Sequence, residues 1–345
     1  MESKMNELNK SKKLNFAYSI FTLIFFSVQL RIVIDTFYFE KNSFIVLFYC
    51  LLFLKLGELV NELIVINATK LFAVLGTISL FMIIYMNGFF VFVGCFIFGF
   101  CLMKVRDKTI QHSTKKIKFT ARAIGFVLSP ILPYILLVIL CIMAMIAIVT
   151  TRFDEDISDN FSLQWYDGSV GIVGNLCMGI HHFHYFSYAY SIPLAFFIFT
   201  SINSAWLGLI FYIGWAAYNA YERIIKPSWN YLFIGHIVAA VSLIMLANNH
   251  TIASMTFWWF MTGLGGGTVY MIQSLSNVKC NSSTELKISE GFGHVFGILA
   301  WGGSINYLGV DASFIFGAIG GILVAIISLC KIFIARQTFI RRFTK

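Results

Sequence analysis

Residues 117–151 read IKFTARAIGFVLSPILPYILLVILCIMAMIAIVTT, 35 residues with Pro130 and Pro133 near the centre. A membrane-crossing helix needs about 20 apolar residues. As one kinked helix this stretch crosses a bilayer once. As two short helices turning at Ser129-Pro130-Ile131-Leu132-Pro133 it crosses twice. The acidic run Asp154-Glu155-Asp156-Ile157-Ser158-Asp159 that follows carries little topological weight; basic residues in short loops decide orientation. The N-terminus is basic, with Lys4, Lys10, Lys12 and Lys13. So are 104–122, 222–226, 279–287 and the tail with Arg336, Arg341, Arg342 and Lys345. The connections at 39–43, 248–251 and 309–311 are nearly free of such charge. Both termini are therefore expected in the cytoplasm, the number of crossings is even, and the two-helix reading follows.

Working outward, the rest of the chain repeats the same pattern. Of its 345 residues, 59% are hydrophobic and 12% charged, with a mean hydropathy of +0.81. Soluble domains run near 25% charged. Apolar runs fall at 14–38, 44–66, 70–87, 89–105, 118–133, 134–151, 169–191, 196–221, 229–247, 252–277, 288–308 and 312–335. Lipid offers no partner for free backbone groups and strand-type alternation is absent, so every run is expected to be helical. The expected fold class is all-α, a polytopic integral membrane protein of about 12 transmembrane helices in two pseudo-symmetric six-helix halves. The boundaries that follow are a tail at 1–13, one half at 14–151, a central loop at 152–168, a second half at 169–337 and a basic tail at 338–345. The net charge of +9 reports orientation rather than nucleic-acid binding. The seven cysteines show no metal- or disulfide-type spacing. No Walker motif, Gly-x-Ser-x-Gly elbow or HExxH is present, and no cofactor is implied.

Three segments, two of them near the C-terminus, carry a resemblance. Gly263-Leu264-Gly265-Gly266-Gly267 resembles the glycine-rich tenth helix of the major facilitator superfamily. Glu290-Gly291-Phe292-Gly293-His294-Val295-Phe296-Gly297, followed by Trp301-Gly302-Gly303, resembles its eleventh. Gly125-Phe126-Val127-Leu128-Ser129-Pro130 is similar to its fifth. The loop between helices two and three departs from the family's Gly-x-x-x-Asp-Arg-x-Gly: here Gly57 is kept, while Asn61 and Glu62 stand in the Asp and Arg places. The resemblance implies two halves rocking about a midplane site, with the first and seventh helices lining a central cavity.

The seventh span holds His181-His182-Phe183-His184-Tyr185-Phe186-Ser187-Tyr188. At helical spacing Gly174, Cys177, His181, His184, Tyr185 and Tyr188 share a face, and His182 points aside. Polar groups in a span are costly and turn toward protein or water. His181, His184, Tyr185 and Tyr188 are therefore the expected solute-binding residues, with a structural hydrogen-bonding stripe as the rival reading. No metal site is expected there, because no strong carboxylate ligand adjoins the imidazoles. Arg31 and Asp35 stand at i, i+4 in the first span, Glu58 follows Lys55 in the second, and Glu290 precedes His294 by four in the eleventh. These five, Arg31, Asp35, Glu58, Glu290 and His294, are the expected coupling or gating groups. His236 and His250 read as single interior or loop histidines.

These observations point to a secondary transporter in a bacterial cell membrane, coupled to protons and moving an amphipathic metabolite, peptide or metal chelate; the direction is not readable from the residues, and the resemblance implies export. Its partners would be the small-molecule solute, protons and the lipid bilayer, and no nucleic acid. A membrane-embedded histidine metalloenzyme and a non-transporting immunity or assembly partner are the alternatives. A reporter active only outside the cytoplasm should stay silent when fused after Asp159, after Lys108 or at the C-terminus. An active Asp159 fusion would make 117–151 a single crossing.

Overall fold

The computed structural model describes residues 2–38, 43–110, 115–151, 162–164, 166, 168, 170–266, 269–276 and 284–343. The described residues form helices α1 (Glu2–Tyr38), α2 (Phe44–Leu63), α3 (Thr69–Tyr85), α4 (Phe89–Thr109), α5 (Lys115–Leu128), α6 (Tyr134–Val149) and α7 (Ile172–Phe186). They continue as α8 (Ser191–Phe199), α9 (Leu207–Ile224), α10 (Trp229–Asn248), α11 (Ile252–Gly266), α12 (Val269–Leu275), α13 (Thr284–Leu308) and α14 (Val310–Phe343). Several helices outrun their apolar stretches, because charged residues at 2–13 and beyond 335 extend α1 and α14 as polar helix. The chain divides into one compact unit of 1–164 with 203–209, and a second of 165–202 with 210–345.

The outer faces show what surrounds the protein. On α6, Ile135, Ile139, Met143 and Ile146 follow helical spacing and are all exposed. On α10, Ile234, Ile237, Val241 and Ile244 do the same. The opposite faces bury polar groups such as Ser242 and His236. A water-soluble helix has the reverse arrangement. Among the described residues, five helices are long and apolar enough to cross a bilayer on their own: Asn9–Phe37 within α1, α2, α4, α10 and Val310–Gln337 within α14. The chain is an integral, all-α membrane protein.

In the first unit α1 is the centre, packed against α5, α6, α4 and α2. Its contacts show that 117–151 reverses direction. Ser27 donates to Gly125 O at 2.8 Å, and Arg31 reaches Pro130 O at 2.8 Å and Ser129 O at 3.2 Å. Tyr134 then donates to Asp35, and Thr150 lies 3.3 Å from Lys13. The chain therefore runs up α1 along α5 and back down along α6. Pro130 and Pro133 lack the donors that would continue a helix, so the helix stops at Leu128 and the Ser129 and Pro130 carbonyls of the turn have no helical partner. Arg31 supplies the missing donors, while its Nε pairs with Asp35 at 2.6 Å and its guanidinium lies 5.0 Å from the Tyr134 ring.

Close helix approach shapes the rest of this unit. A Cβ on Gly57 would strike Phe96 O, and one on Gly99 would strike Leu54 O, so α2 and α4 meet backbone to backbone. Lys104 on α4 reaches past that contact to the end of α2, donating to Asn61 O at 2.9 Å and to Ile64 O. A cation on the last carbonyls suits a helix C-terminus. Beside it a short ribbon forms between β1 (Ile64–Val65) and β2 (Ser162–Leu163), antiparallel with Ile64 opposite Leu163. That ribbon is an exception to the all-helical expectation, formed where the chain leaves α2.

In the second unit α7 packs on α13 and α14, and α10 on α11 and α14. The seventh span is longer than its apolar run suggests. Its helix loosens over 187–190, where Ser187 caps His184 O at 2.8 Å, and resumes as α8 to Phe199. The eighth span accordingly begins at Leu207 rather than 196. Ser191, at the restart, accepts from Trp301 Nε1 at 2.9 Å and from Ser313 at 2.6 Å. At the other end of α7, Glu285 accepts from Gly168 N, from Val170 N at 3.2 Å and from Asn175 Nδ2 at 3.0 Å.

Replacing Arg31 with Ala removes the cation paired with Asp35, which keeps Tyr134 as a donor, and leaves the Ser129 and Pro130 carbonyls without the guanidinium. We expect a loss of about 3 kcal/mol, the general cost of breaking a buried pair from one side. Thermal unfolding in detergent measures it, and an unchanged transition would remove Arg31 from the reversal.

Candidate functional site

The densest polar chemistry in the second unit is a belt of imidazoles across α7, α10 and α13. His181 Nδ1 lies 3.1 Å from His236 Nε2. His236 Nδ1 faces Leu232 O at 2.9 Å. A carbonyl only accepts, so His236 carries its proton on Nδ1 and takes one from His181 Nδ1 at the other nitrogen. His184 likewise donates from Nδ1 to Gly317 O of α14. All three are buried. Each is satisfied as a neutral ring, which is the state such burial permits.

The belt continues on the other flank of α7. The rings of His181 and His182 are 5.1 Å apart, and those of His182 and His294 are 4.8 Å apart. Glu290 stands beside both, its Oε1 3.3 Å from His182 Nε2 and 3.6 Å from His294 Nε2. Phe186 closes the far side of His294 with ring centroids 4.3 Å apart.

Glycines bring these side chains together. A Cβ on Gly293 would strike Gly179 O and stand 2.7 Å from the Cβ of His182. One on Gly297 would stand 2.7 Å from the Cβ of Phe186. Small residues let membrane helices approach closely, where van der Waals packing drives association. Gly320 and Gly321 leave the same kind of room on α14 for His184.

The expected solute-binding residues are distributed unevenly. His181 and His184 are buried against α10 and α14, and Tyr188 is buried with its ring 6.3 Å from Trp259. Tyr185 keeps intermediate exposure, 5.8 Å from the Tyr188 ring. Of the expected coupling groups, Glu290 and His294 join the belt. Arg31, Asp35 and Glu58 lie in the first unit, where Glu58 pairs with buried Lys55 at 2.7 Å and Lys55 also reaches Gln29 at 3.3 Å. His182 and His236 join the belt although neither is among the expected solute-binding or coupling residues; the metalloenzyme alternative alone gathers them with His181 and His184. His182 lies off the striped face of its own helix, and His236 shows no local pattern; both gain partners only through packing. His250 lies apart, stacked on Phe199 at 3.7 Å and 3.2 Å from Asp311.

No protein-family model and no curated protein matches the sequence. Solved structures do match. The nucleoside transporter NupG is similar at 12% identity with a TM-score of 0.67, over 93% of this chain and 98% of that one. A POT family transporter in complex with 5-aminolevulinic acid gives 12% identity and a TM-score of 0.68, over 95% and 96%. This chain has the major facilitator fold. The human organic anion transporter MFSD10 (TETRAN) is similar as well, at 12% identity and a TM-score of 0.60, over 93% and 99%. The likeness extends over nearly the whole length of each.

A Cβ at Gly293 would wedge α7 from α13, so Gly293→Ala should cost about 1–3 kcal/mol. Gly303→Ala, on the same helix but in open space, should leave the melting transition in place. Equal effects of the two substitutions would dissociate the glycine contact from the belt.

Proposed function

We propose that this chain is a secondary transporter that moves a small solute across the cell membrane by alternating access between two six-helix halves. The observation that carries the proposal is likeness over nearly its whole length to solved transporters of the major facilitator fold. The same likeness weighs against the metalloenzyme reading. In support of proton coupling, four histidines and a carboxylate form a continuous set of imidazole and carboxylate contacts from α10 through α7 to α13. Imidazoles exchange protons near neutral pH, and ionisable groups inside a membrane protein mark ion and substrate pathways by default.

The proposed roles divide by position. Tyr185 meets the solute, with His181, His184 and Tyr188 as the layer behind it. Glu290 and His294, with His182, exchange the coupling proton. Arg31 and Asp35 hold the α5–α6 reversal in register as the first half moves, and Glu58 serves its pair with Lys55. Orientation has both termini in the cytoplasm, in line with the basic loops. The direction is export, and the solute is an amphipathic metabolite, peptide or metal chelate, matched to an aromatic and imidazole surface rather than a sugar-type one.

Proteoliposomes with an entrapped pH dye test this reading. A panel of dipeptides, amphipathic amines and hydroxycarboxylate metal chelates should contain one class that drives proton flux. His181→Ala should abolish that flux while the protein still inserts and purifies normally. Flux from no member of the panel, or flux untouched by His181→Ala, would favour a non-transporting membrane partner.

A further inference from the structure

His182 places an unusual demand on its surroundings. Its Nδ1–H donates to Met178 O at 3.2 Å. In the neutral ring, Nε2 therefore presents a lone pair, and it presents it to the Glu290 carboxylate 3.3 Å away. A lone pair and a carboxylate oxygen at that distance repel one another unless a proton or a metal cation lies between them. A second imidazole nitrogen, His294 Nε2, points at the same oxygen from 3.6 Å. One donor atom from each of the three residues falls within 4.8 Å of the others.

Two of the three separations fit a metal ion directly. A tetrahedral Zn2+ with bonds of about 2.0–2.1 Å holds its donor atoms about 3.4 Å apart. Both His–Glu separations lie within a few tenths of that value. The hydrogen bond from His182 Nδ1 to a backbone carbonyl is the outer contact that orients metal-bound imidazoles and fixes their tautomer. The Glu290 side chain is 34% exposed, which gives an ion an approach, whereas His182 and His294 are nearly enclosed. The glycine contact between α7 and α13 fixes the two imidazoles relative to each other before any ion arrives.

We propose that His182, Glu290 and His294 bind a divalent transition-metal cation of the Zn2+ class. Two imidazole nitrogens and one carboxylate oxygen suit zinc and its first-row neighbours rather than Cu+, which prefers thiolate, or Mg2+ and Ca2+, which prefer oxygen alone. Three protein donors leave a coordination position for water or for a donor atom of a solute. The sequence expectation of no metal site considered the carboxylates near His181 and His184 in the chain; Glu290 arrives from another helix. The inference goes beyond the transport reading and is tested on binding alone; the ion would take the same donor atoms as the coupling proton, so the two compete for the site.

The full chain, purified in detergent through a histidine-free tag and stripped with a chelator, is titrated with Co2+ and then with Zn2+. We expect one saturable site per chain, with visible d–d absorption from bound Co2+ that Zn2+ displaces. Glu290→Gln and His294→Ala should each weaken binding by about 100-fold or more, and Glu290→Asp should restore it to within about tenfold. His250→Ala should bind like the parent. A readout on the unaltered chain covers variants that misfold: Zn2+ should shield the His294 peptide from diethylpyrocarbonate. Absence of saturable binding, binding untouched by Glu290→Gln in monodisperse protein, or no shielding would overturn the proposal and leave the three groups sharing a proton.

Discussion

Lipid offers no hydrogen bonds, so wherever a helix stops, breaks or turns inside a membrane protein, another part of the chain has to answer the exposed backbone groups. Most of the charged and polar side chains described above follow from that constraint. Arg31 supplies donors to the carbonyls where α5 gives way to α6. Lys104 does the same for the end of α2. Glu285 collects the free amides before α7. Ser191, held by Trp301 and Ser313, anchors the restart at α8. An unmet buried group costs about 1–3 kcal/mol, so each of these contacts is comparable to a sizeable share of a domain's net stability.

The second constraint is how closely helices can meet. Without a hydrophobic drive between helices already in lipid, association rests on contact area and on the hydrogen bonds it permits. Gly57 and Gly99 on one pair, Gly235 and Gly265 on another, and Gly179, Gly293 and Gly297 on a third bring backbones within reach of each other's side chains. The third pair creates the site. His182 and Glu290 lie 108 positions apart in sequence, yet α7 and α13 approach closely enough for imidazole and carboxylate to touch.

The imidazole belt joins two kinds of histidine. His181, His184 and His236 have their ring donors spent on protein acceptors and are satisfied as neutral groups. His182 and His294 face a carboxylate instead, which stabilises a cation at that end. A set of contacts running from neutral, enclosed rings to a partly exposed charged end has a direction built into it. Two packed elements with distinct polar environments give a conformational change something to act upon.

Composition by itself determined that this chain lives in a membrane and that its spans are helical, and the distribution of basic residues set the expectation of an even number. Those properties follow from the cost of exposing backbone and charge to lipid, which local sequence records directly. Glu290 with His294, Arg31 with Asp35 and Lys55 with Glu58 were legible too, because groups three or four apart share a helix face whatever the fold. The reversal at Pro130–Pro133 was legible as a choice between two readings, and the contacts of α1 with Gly125, Tyr134 and Thr150 decided it. The helix break at 187–190 left no local mark, since Ser, Tyr and Ala are acceptable in helices and the break is held from α13 and α14. Nor did the sequence bring His182 to Glu290, and it offered His236 beside His181 only within the metalloenzyme alternative. Those meetings depend on which glycine notch faces which helix, and helix-to-helix register is set by packing across the folded chain.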